Sequence, residues 1–379
     1  MKLFHLADLH LGKRVNGISM LADQDYILKQ VLMMVDLKKP DAVLLCGDIY
    51  DKPIPPEEAV HLFDHFLRDL SRRGVDTFVI AGNHDSAERL AFGSSLMRDS
   101  HVYMADVFQG APQPIRVPDT FGHVNLYLLP FLKPAMVRAV YPDAEVTTYE
   151  DALRYVVEKM NPDPAERNIL LSHQFVTGAK TSESEDVTVG GLDQVPARVF
   201  EPFDYTALGH LHRPQSIGSD RVRYSGTPLK YSLSEAADQK GITVVELQKK
   251  GRPVRIQQIP LIPMRDMREI RGTYAEITAR PNYIDTNTED YVHVVLTDEH
   301  DIPDVMNKLR TIYPNIMSLE YDNVRTRERR TVDDSAREDE KTPAELFQEF
   351  YEIQNNTAMS PVQKAFTEAL MKNLWEEAT

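Results

Sequence analysis

The chain has 379 residues, of which 42% are hydrophobic and 27% charged, and its net charge is −15. That length predicts about two domains with a large core, and the acidity excludes broad, non-specific nucleic-acid binding by the protein's own charge. No apolar run approaches the ~20 residues of a membrane span, Asp8 and His10 break the apolar start too early for a signal peptide, and the single cysteine excludes an internal disulfide framework and fits a reducing, cytoplasmic compartment.

Three short apolar runs open the chain, and each stops at a polar cluster. Residues 2–7 end in Asp8-Leu9-His10, residues 41–46 in Gly47-Asp48-Ile49-Tyr50-Asp51, and residues 76–81 in Gly82-Asn83-His84-Asp85. Runs rich in Val, Ile, Leu and Phe, bounded by Gly and Asp, predict buried strands. Helical spacing lies between them, over 20–38 and from Ala59 to Leu70 after Pro53, Pro55 and Pro56. The order is βαβαβ, so the strands are predicted to be parallel with their carboxyl ends on one edge, where ligands bind. Lys13-Arg14 follows the first cluster and is read either as a phosphate contact or as solvated loop charge. His61 and His65, four apart on the second helix, have metal-binding spacing but lack a third ligand. Cys46 falls inside a strand, which is a packing position.

A third helix is predicted over 86–98, strands at 101–106 and 123–131, and a helix at 149–160 stopped by Asn161-Pro162-Asp163-Pro164. Residues 168–172 form another apolar strand, ending at His173. Residues 177–191, rich in Ser, Thr, Glu and Gly, are predicted to be a flexible loop near the site. Residues 203–208 end in Gly209-His210-Leu211-His212, Tyr224-Ser225-Gly226-Thr227-Pro228 is a turn, and strands follow at 241–247 and 254–260. Residues 266–322 change character, with strands at 266–271, 290–297 and 316–321 and a helix at 302–313, and predict a small α+β domain. Residues 324–342 are almost wholly charged, as in a solvated linker. Residues 320–379 carry 14 acidic against 8 basic side chains, a net of −6. Two amphipathic helices close the chain. One has Leu346, Phe347, Phe350 and Tyr351 on one face. The other opens with the cap and first-turn proline Ser360-Pro361 and carries Val362, Phe366, Ala369, Leu370, Leu374 and Trp375.

The strand ends together offer Asp8, His10, Asp48, Asn83, His173, His210 and His212. Imidazole, carboxylate and amide donors without thiolate suit Mn, Fe or Zn better than Ca. Seven donors exceed one tetrahedral site and fit two divalent ions sharing a carboxylate, with Asp48 the natural bridge. Two such ions clamp a phosphoryl group and supply a water of lowered pKa. Singly these motifs are weak; in this order, each at a strand end, they define a binuclear site.

This set resembles the calcineurin-like metallophosphoesterases: Asp8-x-His10, Gly47-Asp48-x-x-Asp51, Gly82-Asn83-His84-Asp85, His173 and Gly209-His210-x-His212. The resemblance implies an α/β fold, a two-sheet αββα sandwich. It also implies that Asp8, His10, Asp48 and His212 hold one ion and that Asp48, Asn83, His173 and His210 hold the other. His84 would then be catalytic, protonating the leaving oxygen, with Asp85 either orienting it or serving as a structural carboxylate. A narrower resemblance, carried by Asp8-Leu9-His10-Leu11-Gly12-Lys13, Ser172-His173-Gln174-Phe175-Val176, residues 207–215 and Tyr224-Ser225-Gly226-Thr227-Pro228, is to the SbcD family, nuclease subunits of bacterial double-strand-break nucleases. It implies Mn-dependent 3′→5′ double-strand exonuclease and single-strand endonuclease activity on DNA ends and hairpins, a homodimer, and pairing with the coiled-coil ATPase SbcC in a heterotetramer. The archaeal and eukaryotic relatives carry histidine where this chain has Asp51. The expected organisation is a nuclease domain at 1–262, a capping domain at 263–323, a linker at 324–342 and an ATPase-binding helical segment at 343–379. The alternative the same site allows is a metallophosphoesterase of small phosphodiesters or nucleotides.

Overall fold

The computed structural model describes residues 1–185, 193–323, 326, 347–348, 351 and 359–367. The chain forms two compact units. One comprises Met1–Ile270, Arg280–Val294 and Met306–Leu319; the other comprises Arg271–Ala279, Val295–Val305 and the described residues from Glu320 on.

In the first unit β1 (Lys2–Leu6), β2 (Ala42–Cys46), β3 (Asp76–Ile80) and β4 (Val102–Met104) are parallel neighbours, as the βαβαβ pattern predicts. β5 (Ile115–Asp119), β6 (Gly122–Leu128), β7 (Arg167–His173), β8 (Tyr205–Gly209), β9 (Gln215–Ile217) and β10 (Ser219–Tyr224) form a second six-stranded sheet in the order β9-β10-β8-β7-β6-β5. β11 (Gly241–Glu246) and β12 (Arg255–Pro260) return to the first sheet, which reads β12-β11-β1-β2-β3-β4.

The two sheets face each other through Leu3, Leu44, Phe78, Leu126, Ile169, Tyr205 and Val245. Alternate residues of the same strands point outward. Phe4, Leu6, Val43 and Leu45 meet α1 (Leu21–Lys38) and α2 (Glu57–Ser71) through Ile27, Val31, Phe63 and Phe66. Leu170 and Leu208 meet α6 (Tyr149–Met160) through Leu153, Val156 and Val157. Strands buried on both faces read as continuous apolar runs, which is why β1, β2 and β7 were plain in the sequence. The outcome is the expected α-β-β-α order of layers.

Two local expectations change. The helix predicted over 86–98 is split into α3 (Ala87–Leu90) and α4 (Ser94–Met97), because Gly93 takes a left-handed backbone with φ 75°. The helix expected over 302–313 narrows to Val305–Arg310. Between α4 and α6 the chain also holds α5 (Pro134–Val140). Further on, β13 (Met267–Gly272), β14 (Tyr291–Leu296) and β15 (Ile316–Tyr321) pair in that order. In the second unit Thr273 and Glu276 form a capping box on the helix Tyr274–Thr278.

Candidate metal centre

The site lies where β1, β2, β3, β7 and β8 end. Asp8 donates its amide to the Gly47 carbonyl at 3.0 Å, and His10 donates to the Asp48 carbonyl at 2.9 Å, so the first two turns are laced together. Asp8, His10, Asp48 and His210 all sit at positive φ, 54°, 45°, 47° and 103°. Non-glycine residues enter that region only when their surroundings force them, and such strain gathers at functional sites. Small neighbours are required too: a Cβ on Gly209 would collide with the Cys46 carbonyl and the His173 ring.

All seven residues singled out in the sequence converge. Asp8, His10 and His212 each bring a donor atom within 4.8 Å of the others, as do Asp8, Asp48 and His173, and also His10, Asp48 and His84. The groups share members, so the donors form one cluster. His10 Nε2 and His212 Nε2 stand 3.1 Å apart. Asp48 Oδ2 lies 3.3 Å from His173 Nε2 and 3.7 Å from His10 Nε2, between the two halves. Asn83 Oδ1 is 3.0 Å from both His173 Nε2 and His210 Nδ1.

Divalent cations fit this arrangement. Asp8 Oδ2 is buried with no hydrogen-bond partner among the described residues, although such an atom normally finds one. The donors are nitrogen and oxygen only, which suits Mn, Fe or Zn. Cys46, the one thiol, is buried in β2, in the apolar core between the sheets. The charges balance internally as well. Burial disfavours charge on His173, but Asp48 outweighs it and holds the imidazole at about 9. Burial likewise opposes ionisation of Asp48, yet His173 and His10 keep its carboxyl far below the usual range. Burial pushes Asp8 up and brings His10 down to about 4 and His210 to about 3.

His84 stands at the mouth of the site, 20% exposed, with Nε2 3.9 Å from Asp48 Oδ2. Its amide donates to Asp48 Oδ1 at 2.9 Å, and Nδ1 meets the Asp51 carbonyl at 3.2 Å. Asp85 gives both oxygens to backbone: Oδ2 accepts from Ile49 and Gly82 and Oδ1 from Tyr50, at 2.9–3.1 Å. It therefore ties the loops after β2 and β3 together, as a structural carboxylate does. Asp51 sits 3.6 Å from His10 Nδ1 and accepts from Lys13 Nζ at 2.8 Å. Lys13 is held there, 5.6 Å over the Tyr231 ring, while Arg14 is exposed and donates to the Gly17 carbonyl. His61 and His65 are exposed on α2, and no metal-holding group among the described residues includes them.

Several supporting residues carried no signal in the sequence. Gln24 of α1 donates to the His10 carbonyl at 2.8 Å and to Tyr231 Oη at 3.0 Å, and accepts from the Gly12 amide at 3.0 Å. The Phe131 ring stacks on His210, with centroids 6.2 Å apart and 18° between planes. Gln24 reaches the site from α1 and Phe131 from the loop between β6 and α5, segments whose own patterns speak only of packing.

Comparison with known proteins agrees with the geometry. The calcineurin-like phosphoesterase family matches residues 1–214, and a family described as the type 5 capsule protein repressor C-terminal domain, SbcD_C, matches residues 263–355. A Staphylococcus epidermidis protein named as an SbcCD nuclease subunit is 36% identical over 323 residues, 84% of this chain and 85% of its own. The chain belongs to the calcineurin-like phosphoesterases and, within them, to the SbcD family. As a calcineurin-like phosphoesterase it is a metal-dependent hydrolase, and its clustered Asp and His side chains belong with divalent ions. Among solved structures, a Thermus thermophilus protein matches at 12% identity and TM-score 0.40, and a dimetal phosphatase from Danio rerio at 13% and 0.39; each match covers 68% of this chain and 98% of the other. Among the described residues no helix is long and apolar enough to cross a membrane.

Proposed function

We propose that the chain is the nuclease subunit of an SbcCD-type complex in the cytoplasm, cleaving DNA phosphodiesters at ends and hairpins as a 3′→5′ double-strand exonuclease and single-strand endonuclease. The observation that carries the reading is the single donor cluster with Asp48 between its halves, in a chain related over most of its length to a nuclease subunit. Asp8, His10, Asp48 and His212 would hold one ion and Asp48, Asn83, His173 and His210 the other, Mn being the metal proposed. Bound there, two such ions polarise a phosphoryl group and lower the pKa of water.

The chain's own residues do the rest. His84 stands partly exposed at the mouth, and the Asp51 carbonyl on Nδ1 leaves Nε2 facing the donor cluster, 3.9 Å from Asp48 Oδ2. In its doubly protonated form it can hand the Nε2 proton to the leaving oxygen, acting as general acid. Asp85 keeps that geometry by fixing the two loops on which Asp48 and His84 ride. The partners proposed are an SbcC-type ATPase and double-stranded and hairpin DNA, with the chain a homodimer inside a heterotetramer. An acidic chain acting on a polyanion needs that help from cations and a partner.

Labelled hairpin and blunt-duplex DNA, incubated with Mn or Mg, with and without the ATPase and ATP, tests the reading. Metal-dependent cleavage of both substrates is expected. Cleavage of nucleotides or small phosphodiesters but not of DNA would overturn it. The Asp48→Ala variant is expected to bind far less Mn than wild type; two ions retained per chain would remove Asp48 from its bridging place.

A further inference from the structure

Behind His212 lies a buried polar chain whose Ser184, Glu235 and Lys240 neither the sequence motifs nor the family reading touches. His212 presents Nε2 to the donor cluster, 3.1 Å from His10 Nε2. Its other ring nitrogen, Nδ1, meets Ser184 Oγ at 2.5 Å, and Ser184 in turn donates to Glu235 Oε1. Glu235 is fully buried. Its second oxygen takes the Lys240 ammonium at 2.6 Å and the Thr227 hydroxyl at 3.3 Å. Lys240 Nζ also donates to the His212 carbonyl at 2.7 Å, and the His212 amide donates to Glu185 Oε1 at 2.6 Å. The residue is gripped at its ring, its N–H and its C=O.

Direction along this chain follows from chemistry. The Lys240 ammonium, 2.6 Å from Oε2, pairs the buried Glu235 as a carboxylate. An ionised carboxylate only accepts, so Ser184 must donate to it, and the Ser184 oxygen is left to accept from an Nδ1–H. A ring protonated at Nδ1 carries its lone pair at Nε2, the form that binds a cation. The direct separation from His212 Nδ1 to Glu235 Oε1 is 3.6 Å, too long for a hydrogen bond, so the serine hydroxyl is needed to complete the link.

We propose that Ser184 and Glu235 are positioning residues that hold His212 with Nε2 turned into the metal centre, making the segment Ser182–Glu185 part of the site. The proposal rests on the reading of His212 as a metal ligand. It gives a task to a stretch that the sequence marks as a Ser- and Glu-rich loop near the site without naming a role for any of its residues. It also explains why a glutamate and a lysine lie buried together beside a turn with no catalytic motif.

The test is titration of the metal-free full chain with Mn, followed by the electron-paramagnetic signal of the free ion. Wild type is expected to take two ions. Ser184→Ala is expected to keep one at wild-type affinity and to bind the other about 10–100-fold more weakly, the usual effect of losing such a partner. Its metal-free unfolding midpoint is expected to match wild type, and Ser184→Thr, which keeps a hydroxyl, to restore the second ion. Two ions bound by Ser184→Ala at wild-type affinity would overturn the proposal while leaving the metal centre standing. A lowered metal-free midpoint in Ser184→Ala, with no rescue by threonine, would also overturn it by assigning the serine to folding. Failure of wild type itself to take two ions would remove the underlying reading as well.

Discussion

At the scale of single residues, two histidines a few ångströms from the same sheets have opposite tasks. His84 is partly exposed beside Asp48, and the general-acid role predicts that His84→Ala keeps both ions and DNA binding while turnover falls by about 10²–10⁴. Because His84 also groups with His10 and Asp48, Mn counting on that variant is the decisive measurement, and a lost ion would make it a ligand. His5 is buried between the sheets, bonded to Tyr205 Oη at 2.8 Å and the Leu208 carbonyl at 3.1 Å. Burial brings its pKa down from 6.5 to about 3. The unfolded chain therefore binds a proton at His5 that the folded chain refuses over that window. Stability is whole above pH 6.5 and is lost as pH falls toward 3. At pH 5 the loss from this residue is about 2 kcal/mol. Urea unfolding of wild type and His5→Gln at pH 7 and pH 5 should show the variant losing less on acidification by about that amount. Equal losses would mean that His5 does not titrate in this way.

Elements carry the same logic one level up, since a ligand is only as well placed as the helix or strand behind it. Asp23, fully buried on α1, accepts from Arg265 Nη1 at 2.9 Å and from Tyr291 Oη at 2.7 Å. Its neighbour Gln24 holds the His10 turn from the same helix. Asp23→Ala removes the acceptor from both donors and is expected to cost about 2–3 kcal/mol, the range for hydrogen bonds to a charged group, read as a lower denaturation midpoint. An unchanged midpoint would show that α1 does not need the anchor. What the sequence made legible follows physical cause. Strands buried on both faces, such as β2 and β7, are unbroken apolar runs, and their ends carry the donors, so the site and the parallel core could be read together. β10 could not, because Ser219-Asp220-Arg221-Val222-Arg223-Tyr224 buries only Val222 and Tyr224 and half-buries Arg223, which resembles a loop. Ser184 and Glu235 were invisible for another reason. They are 51 residues apart, and nothing in either neighbourhood has a period or a motif that points at His212.

For the whole molecule, charge and covering surface decide how such a subunit works. An acidic chain acting on DNA is proposed to work with a partner, and the C-terminal stretch is the docking element proposed for it. Ser360 Oγ accepts from the Gln363 amide at 3.3 Å while Gln363 Oε1 accepts from the Ser360 amide at 2.9 Å, a capping box that starts the helix at Pro361. Val362 and Phe366, four apart on one face, are 79% and 69% exposed, and Phe347 is 38% exposed. Most of the charged linker and of both expected helices, including Leu346, Phe350, Ala369, Leu370, Leu374 and Trp375, lie outside the described residues. Short helices need their apolar face covered, and aromatic and aliphatic anchors on a tethered helix suit a groove on a partner. The SbcD resemblance makes that partner the base of the SbcC coiled coil. Truncation at Arg337 is therefore expected to leave a folded phosphoesterase that binds Mn as the full chain does but no longer co-purifies with the ATPase. Val362→Glu with Phe366→Glu in the full chain is expected to do the same with the linker intact. Normal co-purification of the truncated chain would sink the docking role, and loss of Mn binding or of the cooperative unfolding transition on truncation would show instead that the helices cover the chain's own core.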